Sequence, residues 1–168
     1  MPANQTVGDA DYRATSRRAS TVLMGLGTGA VTAAASFGIL LGFGRRYGTL
    51  WRPLNAAAHA IIGARADGVW GFQLDVTPMG GAVVLVVSTM AGVVIAQLTS
   101  SRRTLHRALA AFGIALAGYL AHVHIVARTP AGLAALLTQG ELRALYATGA
   151  IALLAGMRYA FSSSTEAS

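Results

Sequence analysis

Cysteine and lysine are both absent from this chain, and only six carboxylates occur in its 168 residues. Without cysteine there is no disulfide, no thiolate metal site, no iron–sulfur cluster and no thiol nucleophile. Charge of either sign is scarce. Charged residues are 11% of the chain where a soluble domain carries about a quarter, and hydrophobic residues are 54%, a balance that excludes an ordinary water-soluble domain. No Asp, Glu, Lys or Arg stands in the middle of an apolar stretch, so the usual mark of an ion or proton path is missing. No nucleophile–base pair and no paired carboxylates occur at a helical spacing suited to hydrolysis, which reads as a non-enzymatic protein.

What the chain does have is four long apolar stretches, filling nearly everything from Ala19 to Phe161. A bilayer crossing needs about 20 apolar residues, so the length suits one all-α integral membrane four-helix bundle. Expected spans are residues 20–43, 78–98, 104–127 and 139–161, with short interfacial helices over 53–63 and 130–137. A single transmembrane domain, 16–161, then lies between mobile tails 1–15 and 162–168. Ser16-Arg17-Arg18 resembles an export signal, but Ser36 to Gly44 carries the apolar run past the length of a signal core, and a retained helix is expected.

All thirteen cations are arginine and the net charge is +7, which raises nucleic acid as a partner. The arginines sit instead at the ends of apolar runs (Arg17, Arg18, Arg45, Arg46, Arg102, Arg103, Arg128), where they meet lipid headgroups. Seven arginines fall on the side of the two termini and six on the other, so a bacterial inner membrane location with cytoplasmic N- and C-termini is expected.

Small residues recur every four positions and predict where the helices approach one another. The expected ridges are Ala30, Ala34, Gly38 and Gly42 on helix one; Ser88, Gly92 and Ala96 on helix two; Gly113, Ala117 and Ala121 on helix three; Ala152, Gly156 and Ala160 on helix four. Replacing Gly38 by Leu is therefore expected to loosen the bundle. Thr28, Thr32 and Ser36 form a second series on the opposite side of helix one, read as hydroxyls bonded to their own preceding turn.

In the long connection, Pro53 and Ala56 to Ile62 suggest a helix lying along the membrane surface. Leu54, Ala57, Ala58, Ile61 and Ile62 then face one way and Asn55 and His59 the other, with Trp51 and Trp70 at headgroup level. Thr77-Pro78 and Thr129-Pro130 each look like a cap followed by a first-turn proline, and Thr138 with Glu141 has capping-box spacing.

Gly25-x-Gly27-x-x-Ala30 fits a dinucleotide fingerprint, but it lies inside an apolar span with no strand before it, so nucleotide is not expected. His122 and His124 form an H-x-H pair whose side chains point about 200° apart on a helix, so they cannot share one metal there. His124 continues the Ala117 and Ala121 side and is expected to face the bundle, with His122 pointing away; His124 is thus the candidate haem ligand. Folding of the long connection over the helix ends would bring Asn55, His59, Asp67, Asp75, His122, His124 and Glu141 to one side, as divalent-metal ligands or as a polar cap.

At Pro53-x-Asn55-Ala56-x-x-His59, with Gly63, Asp75 and Ser88 following, the chain resembles a loose group of uncharacterised bacterial integral membrane proteins with four predicted helices. The resemblance covers about residues 52–159 and implies an inner-membrane location without an activity. Members carry His and Trp within helix two where this chain has Val, Leu and Met, so no site is carried over there. The expected function is a structural, assembly or accessory subunit whose partners are the lipid bilayer and other membrane subunits or copies of itself. Haem or metal binding through His124 with His59 and nearby acids is one alternative, and a small transporter or channel-like oligomer another.

Overall fold

A computed structural model describes residues 5–99, 104–124 and 131–165. Among them the chain is all-α: α1 (Gln5–Gly44), α2 (Arg52–Ile62), α3 (Thr77–Thr99), α4 (Thr104–His124), α5 (Gly132–Leu136) and α6 (Gln139–Thr165). Two 3-10 turns, Arg45–Tyr47 and Gly63–Ala66, follow α1 and α2. Three helices are long and apolar enough to cross a membrane: the part of α1 with its following turn from Ala14 to Tyr47, α3 and α4.

The helix types and most boundaries agree with expectation, and the outer ends extend further. The segment expected as a mobile N-terminal tail is helical from Gln5, and α6 continues past residue 161 to Thr165. No proline separates either segment from its apolar run, so each added residue gains a backbone hydrogen bond without a new nucleation step. The hinge at Arg102 and Arg103, and Arg128 with the Thr129-Pro130 pair, lie outside the described residues.

The four long helices run alternately up and down. α1 packs on α3 and α6, and α4 packs on α6 and, over a smaller area, on α3. Between α1 and α3 the contact is backbone to backbone: a Cβ at Gly25 would fall 2.6 Å from Val93 Cα, one at Gly29 2.5 Å from Thr89 Cα, and one at Gly92 would strike the Gly25 carbonyl. Gly25 and Gly29 are a G-x-x-x-G pair, so both helices present grooves where side chains would otherwise hold them apart. The α1–α6 seam is similar, a Cβ at Gly156 falling 2.9 Å from Thr28 Cα.

This seam overturns the expected ridge on α1. Ala30, Ala34, Gly38 and Gly42 are exposed, with nothing near a Cβ built at Gly38 or Gly42, while Gly25, Thr28, Gly29, Thr32, Ala33, Ser36 and Leu40 are buried. Thr32 does bond back to its own turn, its hydroxyl donating to the Thr28 carbonyl at 2.9 Å, which removes the polar cost of facing inward. Gly113, Ala117 and Ala121 on α4 are likewise exposed; Ala111 is buried there, and Gly118 lies against the Tyr146 ring. Ser88, Gly92 and Ala96 on α3 and Ala152 and Gly156 on α6 are buried as expected.

α2 is a plug and not a surface helix. All residues from Pro53 to Ala58 are buried, Asn55 included, and only its end is open, at Ala60 and Ile61. The missing side chain of Gly80 lets the Leu54 carbonyl sit directly on α3.

Candidate functional site

The polar residues of the connections gather at the end of the molecule where α1 finishes and α3 and α6 begin. Asn55 organises this end. Its Nδ2 donates to the Val69 carbonyl at 3.1 Å and the Gly71 carbonyl at 2.8 Å, and its Oδ1 accepts the Thr77 hydroxyl at 2.7 Å. The Thr77 hydroxyl in turn accepts the Gln73 N–H at 3.0 Å, so it ties the connection together where a simple helix cap was expected. Arg52 donates to the same Val69 carbonyl at 3.2 Å and stacks over Trp70.

His59 and Asp67, expected at one site, do meet: Nδ1 lies 3.0 Å from Oδ1. The same Oδ1 accepts the Gly132 N–H at 3.4 Å, which docks α5 on α2. Gly132 has a φ of +63° and a Cβ there would fall 2.9 Å from the Ala56 carbonyl, so only glycine fits this turn. Asp75 is elsewhere, paired with Arg65 at 3.0 Å on the exposed surface.

Glu141 forms the expected capping box with Thr138. The Thr138 N–H and hydroxyl both reach Oε2 at 3.0 Å, and the Glu141 N–H reaches the Thr138 hydroxyl at 3.2 Å. Two partners come from the 3-10 turn after α1: the Tyr47 hydroxyl lies 2.8 Å from Oε2 and equally close to the Leu136 carbonyl, and Arg46 lies 3.3 Å from Oε1. Burial disfavours ionisation of Glu141, but the bonds from Thr138, Tyr47 and Arg46 outweigh it and hold the carboxyl below the usual glutamate range. Sequence spacing identified the box; Tyr47 and Arg46, 94 and 95 residues away, carry no local signal.

The two histidines at the end of α4 are exchanged relative to expectation. His124 is exposed, and His122 turns inward, its Nδ1 3.3 Å from the Tyr146 hydroxyl and its ring edge-on to the tyrosine. The helix is rotated so that Gly118, not Ala117, meets α6, and His122 follows Gly118 by one turn. Among the described residues no three His, Asp or Glu side chains converge as metal ligands, since their charges are divided among the separate partners above.

His122 and His59 instead line a cavity of about 420 Å³ between α1, α2, α3, α4 and α6 and the start of α5. Its walls are mostly Ala, Val, Leu and Ile, with Tyr146, Ser36, Ser88 and Thr32 as further polar lining. Such a pocket, apolar with a few polar groups, has the size and character of a small-molecule binding site. No protein-family model, curated protein or solved structure matches the chain.

Proposed function

We propose that this protein is a non-enzymatic, four-helix integral membrane protein of the bacterial inner membrane, with both termini cytoplasmic, that serves as an assembly or accessory subunit. α6 is the fourth span: Arg143 and Arg158 bracket its apolar centre and reach outward to the two interfaces. The antiparallel packing of α1 and α6 supports termini on one side.

The observation that carries the subunit reading is the unused ridge of α1. Ala30, Ala34, Gly38 and Gly42 face outward over open space, whereas the outer face of α3 carries Leu85, Val86, Met90 and Val94 and that of α4 carries Leu105, Leu109, Phe112 and Leu116. Lipid tails are satisfied by the large side chains. A smooth small-residue ridge adds nothing toward lipid, but it lets the backbone of another helix approach closely.

The cysteine-free sequence makes the test direct. Gly38→Cys and Gly42→Cys each introduce the chain's only thiol, and labelling it with a benzophenone maleimide followed by photolysis in native membranes should give an adduct of defined higher mass at these positions. Val86→Cys should give none. Equal adduct yields at all three positions, or adducts at none, refute the subunit reading. Release of the protein from membranes by alkaline washing refutes the spans themselves.

A further inference from the structure

The cavity has its titratable and aromatic groups at one end and a side opening. Its end beneath α2 and α5 is lined by His59, His122 and Tyr146, and its far end by Ala91, Ile114 and Leu153. Val87 lines the cavity and is also 61% exposed, which marks a gap in the wall. That gap lies half way along α3, a helix long and apolar enough to span a membrane. Molecules that enter there come from the bilayer.

Size narrows the occupant. The lining residues extend over eight residue steps on each of three helices, Val83 to Ala91, Ile114 to His122 and Leu145 to Leu153, which is about 12 Å at the helical rise. A cavity of about 420 Å³ over that length has room for one hydrocarbon chain. The polar end is lined by His122, whose Nε2 has no hydrogen-bond partner among the described residues, a cost that a ligand oxygen meeting the ring there would remove. Asp67 beside His59 at the same end repels an anionic head, and burying a carboxylate without a cationic partner is costly.

We propose that this cavity binds a single-chain, lipid-soluble amphiphile with a neutral hydroxyl or carbonyl head, the head bonded to His122 and the chain running toward Leu153. The site stands apart from the outward ridge of α1 and rests on α3 and α4 being membrane spans. It is a second function of the same chain, held inside the bundle.

The test uses the full chain in phosphatidylcholine vesicles, with a diazirine-bearing decanol, whose extended chain matches the cavity's length, and the matching diazirine decane as probes. Photolysis and peptide sequencing should place alcohol adducts on Ala115, His122 and Gly149, about fivefold above the hydrocarbon, the yield of one hydrogen bond. His122→Phe should abolish that difference. Gly149→Leu should empty the α4 and α6 positions of label without lowering the melting temperature, because a Cβ at Gly149 meets nothing within 4 Å. Ala115→Leu fills the same space from the opposite helix and should act alike. Label confined to outer residues such as Leu85, Val86 and Met90, or cavity label untouched by either filling variant, overturns the site. Equal labelling of the wild type by alcohol and hydrocarbon overturns the role of His122.

Discussion

Asn55→Ala should release the first connection without dismantling the helices. Three hydrogen bonds are lost, each worth about 1 kcal/mol net, and acceptors left buried without a donor would add about 1–3 kcal/mol each. The structure limits that second cost. The Val69 carbonyl keeps the Arg52 donor, the Thr77 hydroxyl keeps the Gln73 N–H, and Gly71 is exposed so that water can replace the amide. The total is then about 2–3 kcal/mol, which multiplies the population of an opened connection by about 30- to 150-fold. Trypsin reads this directly, because the chain has no lysine and Arg65 is exposed but lies in a 3-10 turn that must open before cleavage. Cutting after Arg65 should accelerate by that factor under conditions where opening is in equilibrium. Asn55→Asp should be worse than Ala, since it aims a carboxylate oxygen at the Val69 and Gly71 carbonyls. A rate for Asn55→Ala within threefold of wild type would refute the account of Asn55 as the tie of this connection.

Three further outcomes follow from the packing and the charges. Gly92→Ala should lower the melting temperature in detergent sharply, because its Cβ meets the backbone of Gly25 and Gly29, whereas Gly38→Ala should leave it nearly unchanged; equal effects would contradict the α1–α3 seam. Glu141→Gln should cost about 1–2 kcal/mol at neutral pH through the weakened cap. Because the folded carboxyl is held below its unfolded value near 4.5, its stabilisation is complete above that value and fades as pH falls through the folded value. The wild type should therefore lose stability below about pH 4.5 more steeply than Glu141→Gln, as followed by helix signal during acid titration; parallel acid limbs would contradict this. Finally, His122→Ala should destabilise the protein more than His124→Ala in thermal melting, since only His122 packs on Tyr146.

Much of the secondary structure was legible because it depends on local chemistry. Apolar length marked α1, α3 and α4, proline marked the start of α2, and the Thr138–Glu141 spacing marked α6 and its cap. The site was legible only in part. His59 and Asp67 were expected together and are paired, but Tyr47, Arg46 and Tyr146 join Glu141 and His122 from distant segments. The Gly25-x-x-x-Gly29 pair is visible in the sequence, but so is the small-residue series from Ala30 to Gly42, and no local signal ranks one above the other.

Rotation of each helix about its axis has no local signal and is set by packing between distant segments. In a soluble protein the apolar stripe declares the inner face. Here every face of α1, α3 and α4 is apolar, and lipid is as apolar as the interior, so hydrophobicity does not distinguish inside from outside. α1 carries small residues on two opposite sides, and the side that turns inward is the one whose glycines interlock with Ser88 and Gly92. The same freedom exchanged His122 for His124. Local chemistry is enough to mark the long helices, the starts of α2, α3 and α6, and the membrane-like length of α1, α3 and α4; close backbone contact between distant glycines sets which faces meet, and with them where the cavity lies.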